Sequence, residues 1–222
     1  MREIIGGLDS QVESVLSALE SRSRHEQEAL KALRKMGGTA LRGQAGSFML
    51  DVGPQVGLLL NMLVRAMNAR TVVEVGGSVG YSTIWLADGV RATGGRLYSI
   101  EVDAGKQREQ KVNLEAAGLD SVVELTSREA ANLVAHIPAP LDLVLLDHWK
   151  ELYIRDFDAC WRALRPGGMI VADNILAPRK NAAVIAEYRD HIGRRLDTRS
   201  QVLDVGDGLE ITVKVDPSAP HQ

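Results

Sequence analysis

From Thr71 onward the chain alternates short apolar runs with amphipathic segments, and this rhythm constrains the fold more than any other feature. Strands and helices that take turns in this way build repeated βα units around a mostly parallel sheet. The apolar runs predict strands over 71–75, 96–101, 122–125, 141–147 and 169–173. Helices are expected near 80–89, 104–117, 128–136 and 151–164, with another over about 180–194. The end of the chain departs from the rhythm. Segments 201–205 and 209–215 flank the turn Gly206-Asp207-Gly208 and read as a hairpin, so the sheet finishes with antiparallel pairing. The expectation is an α/β fold: a mostly parallel seven-stranded sheet, a C-terminal antiparallel hairpin and helices on both faces.

Upstream of Thr71 the pattern is helical. Leu8, Val12, Leu16 and Leu19 recur at spacings of three and four, and Leu30, Leu33 and Met36 resume the stripe beyond a polar stretch at 21–27. Gly37-Gly38 would stop this helix, and a short apolar helix over 55–67 follows Val52-Gly53-Pro54. With 222 residues the chain fits one domain over 1–222. It divides into a helical extension at 1–45, a core at 46–216 and a tail at 217–222.

Charge and cysteine usage narrow the function. A net charge of -3 excludes a broadly basic nucleic-acid coat. The single cysteine, Cys160, excludes an intramolecular disulfide framework and a multi-cysteine zinc site, and it suits a reducing compartment. The start of the sequence lacks the apolar core of a signal peptide. The apolar stretch 56–64 is interrupted by Asn61 and is far short of a membrane span. A cytoplasmic protein without membrane contact is the expectation.

The first predicted strand runs into Glu74-Val75-Gly76-Gly77-Ser78-Val79-Gly80-Tyr81-Ser82. Glycines after a parallel strand let a ligand approach the backbone closely, at the edge where open α/β sheets bind ligands. A dinucleotide fingerprint needs G-x-G-x-x-G, and Ser78 stands where its second glycine belongs, so a dehydrogenase loses its main support. The form E-x-G-G-x-x-G instead resembles the first motif of class I methyltransferases that use S-adenosylmethionine. That resemblance implies a Rossmann-like methyltransferase fold. It implies that Gly76 and Gly80 pack against the methionine part of the cofactor and that Glu74 faces its amino end. Glu101, after the second strand, would hold the ribose hydroxyls, which suits a carboxylate that accepts two donors.

Two further strands end in acids: Asp147 closes the fourth, and Asp173-Asn174 closes the fifth. Two carboxylates and an amide oxygen on one sheet edge form a hard-oxygen set suited to Mg²⁺, with other divalent cations possible. Here the likeness tightens. Leu146-Asp147-His148-Trp149-Lys150-x-x-Tyr153, with Arg165-Pro166-Gly167-Gly168-x-x-x-Ala172-Asp173-Asn174, resembles the metal-dependent O-methyltransferases, and within them the catechol O-methyltransferases. The likeness covers about 48–214.

The resemblance implies a role for each matching residue. Asp147, Asp173 and Asn174 would hold the metal, and Lys150 would be the general base. Helix starts disfavour cations, so propensity does not explain a lysine there. His148 and Trp149 would flank the adenosine, with Glu129 and Ala130 near the adenine. Val52, Tyr81, Ser82, Val102 and Asp147 complete the expected cofactor contacts. Phe48, Trp149, Lys150, Asn174, Pro178 and Glu210 would border the acceptor, with Glu210 on its second hydroxyl. The implied reaction moves a methyl group from S-adenosylmethionine to one hydroxyl of a vicinal dihydroxy aromatic small molecule, in a monomer or homodimer. Alternatives are another acceptor (a polyketide or antibiotic hydroxyl, a caffeoyl thioester, or a hydroxyuridine in transfer RNA) or a cofactor-binding protein without catalysis. The transfer RNA reading needs a basic face, for which Arg179, Lys180, Arg189, Arg194 and Arg195 are the candidates.

Overall fold

The computed structural model describes residues 7–36, 47–137, 140–176 and 181–216. Pro178, Arg179 and Lys180, the Gly37-Gly38 helix stop and the 217–222 tail lie outside them. The sheet is built from β1 (Thr71–Val75), β2 (Arg96–Ile100), β3 (Val123–Thr126), β4 (Leu141–Leu146), β5 (Leu164–Ala172), β6 (Thr198–Leu203) and β7 (Leu209–Lys214). Its seven strands run in the order β3-β2-β1-β4-β5-β7-β6. Strand β7 lies antiparallel between β5 and β6, whereas β1 to β5 pair parallel.

Helices α1 (Ser10–Met36), α2 (Pro54–Ala66), α3 (Tyr81–Thr93) and α4 (Ala104–Ala116) precede β3. Helices α5 (Ala130–Val134), α6 (Tyr153–Ala163) and α7 (Ala182–Gly193) follow it. Alternate residues of the strands feed two cores. Val72, Leu97, Leu143, Leu145 and Val171 pack with α1–α4 residues such as Val12, Leu60 and Trp85. Val73, Val144, Leu146, Ile170 and Ala172 pack with Phe157, Trp161 and Tyr188 on the other side. A sheet covered on both faces explains why these strands read as continuous apolar runs. Among the described residues no helix is long and apolar enough to cross a membrane.

The structure moves several predicted boundaries. Strand β5 starts at Leu164 rather than 169, because Leu164 pairs with Leu141 ahead of a register shift that absorbs Pro166-Gly167-Gly168. Helix α5 is shorter than expected. The polar stretch at 21–27 interrupts the apolar stripe but not α1. Arg22 pairs with Glu26 at 2.6 Å and with Glu109 of α4. The Met49 N–H donates to Glu26 at 2.7 Å, and Ser23 donates to Asp51. These side chains tie α1 to the segment that leads into α2.

Candidate active site

The chain runs outward from β1 to β3 and then returns to place β4 on the other side of β1. The crevice at that reversal is where open α/β sheets bind ligands. Backbone bonds bring the expected residues to this edge. The Gly76 and Gly77 N–H groups donate to the Ile100 carbonyl at 2.9 and 3.0 Å. The Asp147 N–H donates to Val75 at 2.9 Å and the Asp173 N–H to Leu146 at 3.0 Å. Gly76, Glu101, Asp147 and Asp173 therefore cap four neighbouring strands. Gly76 has φ +102°, and a Cβ there would overlap the Asp147 carbonyl oxygen, so only glycine lets the two strand ends meet.

On the glycine-turn side, Glu101 accepts the Ser78 and Asp103 N–H groups, each at 2.8 Å. These bonds fix the carboxylate while using only part of its acceptor capacity. Ser78 has φ +48°, a strained conformation for a residue with a Cβ. Beneath the turn Glu74 is fully buried, and it accepts Ser82 and Thr83 hydroxyls at 2.6 Å and Ser99 at 2.5 Å. Gln110 holds the Thr83 and Ser99 hydroxyls in turn. Burial pushes the Glu74 carboxyl up, against the pull of those three hydroxyls. Glu74 and Ser82 thus bond each other under the turn. The Tyr81 hydroxyl donates to Glu20 of α1 at 2.8 Å. Lys106, in the first turn of α4, is buried and donates to the Ser78 hydroxyl at 3.3 Å.

Val52 is buried and Val102 is exposed. Glu129 stands before α5 and pairs with Arg155 at 3.5 Å, while Ala130 behind it is buried. His148 donates from Nε2 to the buried Asp156 at 2.8 Å, and Arg155 holds the same carboxylate. That pair fixes the imidazole ring. Trp149 next to it is 40% exposed, a large apolar surface at the rim of the crevice.

At the β4–β5 end lies a dry cluster of charge. Lys150 is buried, 3.5 Å from Asp147, and donates to the Tyr153 hydroxyl at 2.6 Å. That hydroxyl donates to the Leu146 and Asp173 carbonyls at 2.8 and 3.0 Å. With its proton engaged there, it can only accept from the amine. Burial pulls the Lys150 ammonium below its ordinary range, opposed by Asp147 and Asp173. Burial, then the Asp147 charge, pushes the Asp173 carboxyl up to about 8. Burial also raises Asp147, against the charges of Lys150 and His148. Asp173 accepts from the Asn174 amide at 3.1 Å through Oδ2, while its buried Oδ1 has no hydrogen-bond partner.

An orphaned oxygen on Asp173, beside a second acid that also resists charging, fits a hard cation. Among the described residues no three His, Cys, Asp or Glu side chains converge on a metal position, so the set would be completed by the Asn174 amide oxygen.

The acceptor side is assembled less fully. Phe48 is half-buried. Glu210 is buried on the α7 side of the sheet, where it accepts from Ser200 at 2.9 Å and faces Arg189 at 3.4 Å. Asp207, on the turn before β7, is exposed, and its charge acts on Lys150 and Asp173. Backbone bonds from Leu176 to Asp207 (3.0 Å) and from Ile175 to Gly208 (2.9 Å) hold this turn beside Asn174. Sequence reasoning names Tyr153 only as part of the motif that holds Lys150, and it assigns no role to Asp156 or Asp207. Only Tyr153 carried a signal, three residues after Lys150 and hence on its side of a helical turn.

A methyltransferase-domain family model matches residues 73–175. The chain is 32% identical over 164 residues to a catechol O-methyltransferase of Mycobacterium tuberculosis, covering 73% of each protein. It is 32% identical over 141 residues to a catechol O-methyltransferase of Niastella koreensis, covering 62% of this chain and 63% of that protein, just under two thirds of its length. Among solved structures, an O-methyltransferase from Bacillus cereus in complex with SAH superposes with a TM-score of 0.73, at 24% identity over 95% of this chain and 93% of that one. The O-methyltransferase TomG from Streptomyces achromogenes, in complex with SAM, gives 0.70 at 23% identity, over 90% of each chain. These structures share the fold.

Proposed function

The chain belongs to the catechol O-methyltransferase-like family of O-methyltransferases, and from that premise we propose that it transfers the methyl group of S-adenosylmethionine to one hydroxyl of a vicinal dihydroxy aromatic molecule, with Mg²⁺ in the site. The observation that carries this reading is the buried Asp147–Lys150–Asp173 cluster, with its unpartnered carboxylate oxygen, beside the glycine turn and Glu101. S-adenosylmethionine supplies an electrophilic methyl on a sulfonium. A divalent cation held by Asp147, Asp173 and Asn174 supplies positive charge that lowers the pKa of a phenol, ordinarily about 10.

The chain's own residues do the rest. Glu101 accepts the ribose hydroxyls and fixes the nucleoside. Lys150, whose ammonium burial disfavours, takes the proton from the reacting hydroxyl at Nζ. Tyr153 accepts one Lys150 N–H at 2.6 Å and so aims the amine. Trp149 gives a flat acceptor an apolar wall. Holding both reactants in line supplies most of the acceleration, with no covalent enzyme intermediate.

The second acceptor hydroxyl has two candidate partners in this chain. Glu210 suits it by resemblance, but its carboxylate is engaged by Ser200 and Arg189. Asp207 sits on the loop paired with 175–176. A hydroxyuridine in transfer RNA gains little support. Arg189 pairs with Glu210, Arg194 with Asp190, and Arg195 with Asp158 and Asp197, so their charge is locally neutralised.

A labelled-methyl assay over a panel of catechols, with and without EDTA, tests the reading. Transfer to catechols that stops on chelation and returns with Mg²⁺ is expected. Full activity after complete chelation would remove the metal from the mechanism.

A further inference from the structure

A second buried lysine has no part in the chemistry above. Lys106 is 8% exposed, in the first turn of α4, where the helix dipole disfavours a cation. Lysines are rarely this buried without a paired charge. Among the described residues Lys106 forms no ion pair within 4.0 Å, and its one side-chain hydrogen bond, to Ser78 Oγ, is long at 3.3 Å. An ammonium carries three donors, so most of its capacity is unspent.

Its surroundings say what it could hold. Ser78 receives the Lys106 ammonium at its hydroxyl and gives its own N–H to Glu101 Oε2 at 2.8 Å. Lys106 and Glu101 therefore flank one residue of the glycine turn, a residue held at φ +48°. Strained residues of this kind cluster where backbones close on ligands. Ser78 already accepts from the ammonium and donates to the carboxylate, and a ligand group that met both side chains would have to do the same. A hydroxyl does both, and a vicinal diol does so twice. A phosphate or carboxylate would satisfy Lys106 but would meet Glu101 as a like charge.

We propose that Lys106 is a cofactor-binding residue that donates to the ribose hydroxyls while Glu101 accepts from them, a donor–acceptor clamp on the diol of an adenine nucleoside. This assignment rests on the cofactor reading given above. It explains why a buried cation is kept beside the turn with so few protein partners. Burial lowers the Lys106 ammonium, and Arg22 adds to that, while the charges of Glu101, Asp103 and Glu26 oppose it without bonding the amine, so a polar ligand restores part of the lost solvation.

Calorimetric titration of the whole protein tests the clamp. The probes are S-adenosylhomocysteine, 5′-methylthioadenosine, which lacks the amino-acid part, and a 2′,3′-dideoxy form of methylthioadenosine. Lys106→Met removes the charge but keeps an unbranched side chain, and Lys106→Arg keeps the charge. The Met variant should weaken both ribose-bearing probes about tenfold relative to wild type. It should bind the dideoxy probe as wild type does, the signature of a contact with those hydroxyls. The Arg variant should recover part of the loss. Equal weakening for the dideoxy probe would assign Lys106 a structural role only and overturn the proposal. Weakening confined to S-adenosylhomocysteine would move the contact to the amino-acid carboxylate, which also overturns it. A wild-type protein that binds none of the three would overturn the cofactor reading itself, and the clamp with it.

Discussion

At the scale of single residues, the Tyr153 hydroxyl joins Lys150 to the ends of two strands. It accepts from the amine at 2.6 Å and donates to carbonyls of residues 146 and 173, each beside a proposed metal ligand or one itself. Tyr153→Phe keeps the ring, which packs against His148 and Tyr188, and removes only the hydroxyl. The expected result is a fall in kcat of about a hundredfold from a misplaced base. KM for the methyl donor should be unchanged, which steady-state kinetics with each substrate varied would check. Lys150→Ala should cost about as much or more, since it deletes the proposed base itself. The two acids proposed for the second acceptor hydroxyl separate by parallel substitution. Whichever of Glu210→Gln and Asp207→Asn raises KM for a catechol, but leaves a monophenol's binding alone, identifies the residue on the second hydroxyl. Asp147, Asp173 and the adjoining Asn174 stand out in sequence because an acid closes an apolar run, and Lys150 is picked out by its place at a helix start and by the resemblance. Asp156 and Lys106 do not stand out, because nothing in a helix's linear pattern says what a charged residue on it will meet.

At the scale of elements, α1 shows how a polar interruption can be structural. Its stripe of Val12, Leu16 and Leu19 packs on the core, and then Glu20, Arg22, Ser23 and Glu26 take over with hydrogen bonds and ion pairs to Tyr81, Glu109, Asp51 and Met49. Helices α2 and α3 meet more tightly. A Cβ on Gly57 of α2 would overlap the indole of Trp85, which is buried in α3. Propensity and packing oppose each other here. Gly57→Ala should gain roughly 1 kcal/mol from helix propensity. Forcing a methyl into the indole should cost about 1–3 kcal/mol. The overlap is with a wedged aromatic ring, so packing wins and the variant should unfold at lower urea concentration than wild type. A higher midpoint would mean that Trp85 has room to move. Element identities were readable from periodicity, but ends were not. Strand β5 gained residues 164–168 because tertiary pairing with Leu141 overrode a Pro-Gly-Gly signal.

At the scale of the whole molecule, the active edge opposes stability. The Asp173 carboxyl sits at about 8 in the folded chain, against roughly 4 when unfolded. Between those pH values the folded state keeps a proton that the unfolded state has lost. The Asp173 contribution to the stability of the metal-free protein therefore falls as pH rises through this window and levels off above it. Thermal melts from pH 5 to pH 9 in EDTA should show that fall, and Asp173→Asn should remove most of it. On the proposed reading Mg²⁺ would compete with the proton for the same oxygens, so adding it should raise Tm more at pH 8 than at pH 5. A pH-independent Tm would mean that the carboxylate is solvated.

The sequence by itself determined the layered α/β fold, the glycine turn after β1, and the acids that follow β2, β4 and β5. Each is a local matter: periodicity follows from backbone geometry, and a glycine or an acid closing an apolar run needs no partner to be noticed. The tertiary structure decided which groups share a dry space. It turned Glu74 into a buried anchor for three hydroxyls, tied Glu210 to Ser200 and Arg189, brought Asp207 toward Lys150, and set Lys106 beside Ser78. The physical reason is that desolvation and pairing depend on neighbours distant in the chain, so a charge acquires its role only when the sheet and helices close around it.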